Sequence, residues 1–203
     1  MYLVKLGKTK IFALEGVSGS GKSTVADVIE KRLGAVHVNP MNKYLFKYVE
    51  EHYPTSDGRA YFKKNFFQER GQYLDLQKRA VPFINDHIYD DIQALLKQST
   101  PPPAIVVDNA VSSIMYPWSG EPDTEKIFVA RPDEARKKSF LVREPGISLN
   151  LVDFIREAQM KLMRPLNANL VLLNDYNTVA EFQKVATDVI VDDAWYKKQP
   201  ILE

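Results

Sequence analysis

The chain has 203 residues, enough for one sizeable α/β core with a small inserted subdomain. Its 27 Lys and Arg nearly balance 26 Asp and Glu, so no whole-molecule field favours a nucleic-acid or membrane partner. Cysteine is absent, which excludes disulfides, thiolate metal sites and thiol chemistry.

The opening "MYLVKLGKTKIF" lacks the apolar core of a signal peptide, and no apolar run reaches the roughly 20 residues that span a bilayer. A cytoplasmic location is expected. No internal repeat or domain linker breaks residues 1–203, so a single domain is expected.

In chain order, "KIFALE" (10–15) predicts a strand. A helix follows with Val25, Val28, Ile29 and Leu33 on one face and Gly34 just past its end. "AVHV" (35–38) predicts a second short strand. Residues 40–100 carry no good strand pattern; Ile84, Ile88, Ile92 and Leu95 recur at helical steps, predicting a helical insertion. "AIVVDN" (104–109), "KIFVAR" (126–131) and "LVLLN" (170–174) are continuous apolar runs, the pattern of parallel strands covered on both faces. Helices are predicted after Pro132, from Ser148, and from the capping box Thr178…Glu181. The alternation predicts an α/β, doubly wound parallel sheet of five strands, with the insertion walling off a second substrate.

Between the first strand and helix stands "GVSGSGKST" (16–24). Gly16, Gly21, Lys22 and Ser23 fit G-x-x-x-x-G-K-[ST] in the strand–loop–helix context that the motif requires. Glycines, with Gly19 as an extra one, let successive backbone N–H groups of Ser18, Ser20 and their neighbours through Thr24 turn towards phosphate oxygens. Lys22 supplies charge at the β- and γ-phosphates, the Ser23 hydroxyl a ligand for Mg²⁺, and the helix its positive dipole end. ATP and Mg²⁺ are the expected ligands.

Asp108 closes an apolar strand, where a carboxylate can join Ser23 in holding the metal or take a proton from the acceptor. The run "ARPDEARKKSFLVREPG" (130–146) brings Arg136, Lys137, Lys138 and Arg143 into a basic lid over about 131–147. Arginines there can neutralise charge developing on a transferred phosphoryl group, and Arg143 beside the "EPG" turn is the first choice. Arg156 and Arg164 follow on the next helix. Catalytic roles are expected for Lys22, Asp108 and Arg143.

The order of motifs resembles the dephospho-coenzyme A kinases, P-loop enzymes that phosphorylate the ribose 3′-hydroxyl of dephospho-CoA. The likeness runs over about 10–190. It rests on "GKSTVADVI", on Asp57-Gly58-Arg59 with Phe62, Phe66 and Phe67, on Leu76, Gln77, Pro82, Ile84 and Ile88, on "REPGIS" (143–148), on Gln159-Met160, and on "ANLVLLN" (168–174). The resemblance implies a three-layer P-loop kinase sandwich with a helical acceptor-binding insertion and a short lid. It implies Asn174 near the ATP base, and Asn39, Arg59, Phe62, Pro82 and Arg156 around the acceptor. Several positions depart from the family pattern. "NPM" (39–41) stands where the family has an acceptor carboxylate, and Val81 where it has His. Ser139 replaces a lid arginine, and Arg156 sits one place along. Residues on the ATP side are kept while those on the acceptor side have changed.

Two other readings stand beside it. "ALEG" (13–16) and the insertion aromatics (Tyr44, Phe46, Tyr48, Tyr53, Tyr61, Phe62, Phe66, Phe67, Tyr73) fit a deoxynucleoside or nucleoside monophosphate kinase, although aromatics at helical spacing also build cores. "QERG" (68–71) is a poor stand-in for the Asp-Arg motif of those kinases. The altered acceptor positions fit a non-catalytic ATP-binding paralogue. A small-molecule acceptor and a monomer or small homo-oligomer are expected. His37 is expected to be packed, and His52 and His87 have no second ligand at metal spacing, so no transition-metal site is expected. The tail "DDAWYKKQPILE" (192–203) is apolar enough to dock on a neighbour.

Overall fold

The computed structural model describes residues 9–39, 41–66, 70–109, 124–162 and 168–192. Phe67, Arg164, Gln68-Glu69 of "QERG", Ala110–Ser112 and all but the first residue of the 192–203 tail lie outside the described residues.

Five strands form one parallel sheet: β1 (Lys10–Glu15), β2 (Val36–Val38), β3 (Ala104–Asp108), β4 (Thr124–Ala130) and β5 (Leu170–Leu173). Their order is β2-β3-β1-β4-β5, with every neighbouring pair parallel. Every side chain of β3 is buried, as its unbroken apolar run requires, because helices cover both faces. The doubly wound expectation holds, and each strand differs from its predicted limits by at most two residues.

Alternate strand residues feed two cores. Phe12, Leu14, Val106, Ile127 and Val129 point to one face, where α1 (Lys22–Leu33) and α7 (Val179–Thr187) pack. Ile11, Ala13, Val38, Ile105 and Val107 point to the other. There they meet the insertion helices α2 (Phe46–His52), α3 (Gly58–Asn65) and α4 (Arg70–Leu96), and also α6 (Leu149–Leu162). Helix α5 (Asp133–Arg143) adds Phe140 to that second core. Three layers result, as the family resemblance implies.

Helix ends follow the sequence signals. Gly34 closes α1 at φ 65°, and Asp57 caps α3 by accepting from the Ala60 N–H at 2.9 Å. Thr178 and Glu181 complete the capping box of α7. The insertion holds no strand among the described residues. Its α4 runs 27 residues straight through Pro82, which removes one backbone hydrogen bond. The helix continues because Leu76, Ala80, Ile84, Ile88 and Ile92 form a fully buried stripe on either side of that proline. The aromatics of the insertion pack mainly on one another: Tyr53 on Phe66 (centroids 5.0 Å), Phe46 on Phe62 (5.8 Å) and Phe62 on Tyr73 (6.2 Å). Burial pushes the Tyr73 hydroxyl up to about 12, so it stays protonated across the physiological range.

Candidate functional site

The site is built at the carboxyl ends of β1 and β3. After Glu15 the backbone turns through Gly16 (φ 145°), Gly19 (φ 86°) and Gly21 (φ 108°) before entering α1. Two of these are fixed by their surroundings. A Cβ on Gly16 would stand 2.3 Å from the Val129 carbonyl oxygen, and one on Gly21 would stand 2.5 Å from Asn174 Nδ2. The Gly16 conflict is with backbone in the middle of the sheet, so it cannot be relieved by turning a side chain. Gly16→Ala is expected to cost about 2–3 kcal/mol, lowering the melting temperature by roughly 5–10 °C. A melting temperature equal to the wild type would show that the loop does not rest on β4 in this way.

Lys22 opens α1 and curls back over the loop, donating to the Gly16 carbonyl at 2.9 Å and the Val17 carbonyl at 3.3 Å. Its ammonium is held below the ordinary lysine range. Desolvation in the loop lowers it most, the Asp108 carboxylate pulls it back up, and the Arg143 guanidinium pushes it down. The three residues expected to be catalytic therefore share one electrostatic neighbourhood.

The Ser23 hydroxyl donates to Asp108 Oδ2 at 2.7 Å, across 85 positions of sequence. This contact follows from topology: β1 and β3 are paired with Leu14 beside Asp108, so the end of β3 lies alongside the start of the loop. Two hard oxygens are thereby set together beside an amide-lined turn. That donor set fits Mg²⁺, which takes one or two protein oxygens and completes its octahedron with water and phosphate.

The tip of the loop is tied to the lid side. Gln159 on α6 grips Ser18 twice, accepting from its backbone N–H at 2.9 Å and donating to its hydroxyl at 3.0 Å. Arg131 donates to Ser139 Oγ at 2.9 Å and approaches the Gly19 carbonyl. Arg136 is only 1% exposed; it bonds Asp133 at 2.8 Å and reaches the Ser18 carbonyl at 3.5 Å. Asp133 also receives Arg156 (3.2 Å) and Lys137 (3.2 Å), and Asp153 receives Lys137 at 3.0 Å. Partial burial pushes the Asp133 carboxyl up, but hydrogen bonds from Arg136 and Lys137 outweigh it and hold the group below the usual range. At the far end of the lid, Arg143 lies over the Phe140 ring (4.9 Å), and Glu144 pairs with Lys63 of α3 at 2.6 Å. The segment of α5 and Glu144 thus bridges the loop and the insertion.

On the floor of the loop, Asn174 is buried, and its amide donates to the Ser20 carbonyl at 2.9 Å. Its side-chain N–H is thereby committed to holding the loop, which is the role this geometry gives it beside the expected position near a base. Thr24 continues the first turn of α1, its N–H bonded to the Gly21 carbonyl at 3.0 Å. Glu15, 1% exposed, ends β1 directly beneath the loop.

The residues expected at the acceptor are spread more widely. Asn39 follows Val38, which pairs with Val107, so the register brings Asn39 to the same sheet end as Asp108. Arg156 is engaged with Asp133 on the lid side. Arg59 and Pro82 lie on exposed faces of α3 and α4, and Phe62, 5% exposed, sits inside the aromatic core of the insertion. In the same insertion, Gln77 Nε2 and Asn85 Oδ1 are buried without a hydrogen-bond partner among the described residues. Sequence reading did not give Gln159, Arg131 and Arg136 as residues that tie down the loop. The one signal for any of them was Gln159, through the family-like Gln-Met pair.

No family model matches the sequence, and no curated protein matches it. Solved structures do. TT1252 from Thermus thermophilus aligns over 92% of this chain and 98% of its own, at 19% identity and a TM-score of 0.60. A dephospho-CoA kinase from Campylobacter jejuni aligns over 91% and 97%, at 19% identity and a TM-score of 0.54. A shikimate kinase from Acinetobacter baumannii, in complex with shikimate, aligns over 93% and 96%, at 12% identity and a TM-score of 0.51. At these identities the likeness is one of fold: the chain has the α/β fold shared by these three proteins, two of them kinases.

Proposed function

We propose that this chain is an ATP- and Mg²⁺-dependent phosphotransferase acting on a hydroxyl of a small nucleotide-like acceptor, with the ribose 3′-hydroxyl of dephospho-CoA as the leading candidate. The observation that carries this reading is the Ser23 hydroxyl bonded to Asp108 at 2.7 Å beside the glycine loop, where Asp108 and Arg143 both act on the Lys22 ammonium. The fold likeness to a dephospho-CoA kinase and a shikimate kinase supports the same class of reaction. The sequence resemblance narrows it to the first.

In this reading the loop N–H groups and Lys22 take up the β- and γ-phosphates, with Lys22 exchanging the Gly16 and Val17 carbonyls for phosphate oxygens. Mg²⁺, held through Ser23 and Asp108, supplies charge neutralisation when bound. The acceptor oxygen forms a bond to the γ-phosphorus, the bond from that phosphorus to the β–γ bridging oxygen breaks, and ADP leaves. The hydroxyl proton passes to the Asp108 carboxylate or to water. Asn39, at the sheet end beside Asp108, orients the acceptor by hydrogen bonding, because an amide cannot act as a base at neutral pH.

Arg143 stabilises charge on the transferred group from the lid. Arg143→Gln is expected to lower kcat by about 10²-fold while leaving ATP affinity within a few-fold. A variant with wild-type kcat would remove Arg143 from the reaction.

The acceptor is tested by incubating the full chain with ATP, Mg²⁺ and a panel of dephospho-CoA, nucleosides and nucleoside monophosphates, and then weighing each acceptor by mass spectrometry. Gain of one phosphoryl group on dephospho-CoA supports the leading reading. Gain on a nucleoside or nucleoside monophosphate instead moves the assignment to that kinase class, which the Glu15-Gly16 junction favours. A small-molecule partner, a monomer or small homo-oligomer and a cytoplasmic location complete the proposal. No helix among the described residues is long and apolar enough to cross a membrane.

A further inference from the structure

One turn further along α1 a second group of ligating side chains comes together. Asp27 and Glu30 project from α1 and meet His37 of β2, with one ligand atom from each within 4.8 Å of the other two. His37 Nε2 is shut off from solvent and has no hydrogen-bond partner among the described residues. The sequence does not show this cluster, because its third member is brought in by the pairing of edge strand β2 with β3. Asp27 and Glu30 lie five and eight residues beyond Lys22 on α1, roughly 8–12 Å along the helix axis. None of the three residues belongs to the phosphate site.

We propose that Asp27, Glu30 and His37 form a binding site for a divalent first-row transition ion of the Zn²⁺ type. Three donors around such an ion at about 2.1 Å stand roughly 3–3.5 Å apart. The three ligand atoms already lie within 4.8 Å of one another, and Glu30 is exposed. One ring nitrogen of His37 lies in this group, and a cation between it and the two carboxylates satisfies all three together. The donor set of one imidazole nitrogen and two carboxylate oxygens selects Zn²⁺ or Mn²⁺ over Mg²⁺, which prefers oxygen alone. Water completes the sphere. Since β2 is a three-residue edge strand leading directly to Asn39, the ion clamps α1, which begins at the phosphate loop, to the strand that approaches the acceptor.

The test uses the full chain, stripped with chelator and free of nucleotide, titrated with Zn²⁺ in competition with a chromophoric indicator. One equivalent of Zn²⁺ is expected to bind and to raise the melting temperature. His37→Ala and Glu30→Gln are each expected to weaken binding by more than about 10-fold, while Asp108→Asn leaves it unchanged. Glu30 is exposed, so Glu30→Gln tests the site even if His37→Ala lowers the melting temperature of the metal-free chain. Wild-type Zn²⁺ affinity in either variant, or loss of binding in Asp108→Asn, overturns the proposal.

Discussion

Replacing Lys22 with alanine is expected to weaken ATP binding by more than about 10²-fold and to lower turnover by about 10³-fold, with little change in melting temperature. The two effects separate because Lys22 contributes nothing to either core. The apolar face of α1 is carried by Val25, Ala26, Val28 and Ile29, and the ammonium bonds only two loop carbonyls, which water can serve in its absence. What is lost is a cation that the loop desolvates while no phosphate is present and that regains a full set of partners when phosphate arrives. Lys22→Met, which keeps the length of the side chain, should fail in the same way. Unchanged ATP affinity in either variant would show that the loop is not a phosphate cradle.

Asp108→Asn is expected to reduce Mg²⁺-dependent turnover by about 10³-fold. The amide is isosteric and can still accept from Ser23, so the strand end stays in place and the loss is one of charge. A second readout is specific to this arrangement. Burial lowers the Lys22 ammonium, and the Asp108 carboxylate opposes that lowering. Without the carboxylate the ammonium falls further, so Lys22 loses its proton at a lower pH than in the wild type. ATP binding needs the protonated form, so the alkaline limb of ATP affinity should shift to lower pH in the variant. An unmoved limb, measured by titration calorimetry across the alkaline range, would show that the two groups do not interact.

The glycine loop was legible from the sequence because its geometry is local. Residues 10–34 form strand, loop and helix in unbroken order, and three loop glycines take the positive φ that their spacing implied. Asp108 was legible for a different reason: it ends a wholly apolar run, and the end of a parallel strand is where such sheets place their ligands. Helix α5 was only half legible. "ARKKS" reads as a solvated basic face, yet Arg136 within it is 1% exposed, because Asp133, Asp153 and the Ser18 carbonyl enclose it. Gln159 grips Ser18 across 141 positions, a contact set by how α6 crosses the loop, which no local pattern encodes. The aromatics were ambiguous for a physical reason: a ring at helical spacing can face a ligand or another ring, and only the crossing of α2, α3 and α4 decided it here. The His37 cluster was hidden in the same way, since two ligands three residues apart on a helix carry no meaning until a strand supplies the third.

The proposed acceptor side holds the central question, because the sequence resemblance puts Asn39 and Val81 where that family has a carboxylate and a histidine. The most direct measurement is coupled ADP release by the purified full chain with ATP and Mg²⁺, with and without each acceptor. The account predicts ADP release that depends on the acceptor and saturates with it, fastest with dephospho-CoA and abolished in Lys22→Ala. ATP bound at the loop with no acceptor raising ADP release above the acceptor-free rate would contradict it and leave a nucleotide-binding protein without transferase activity.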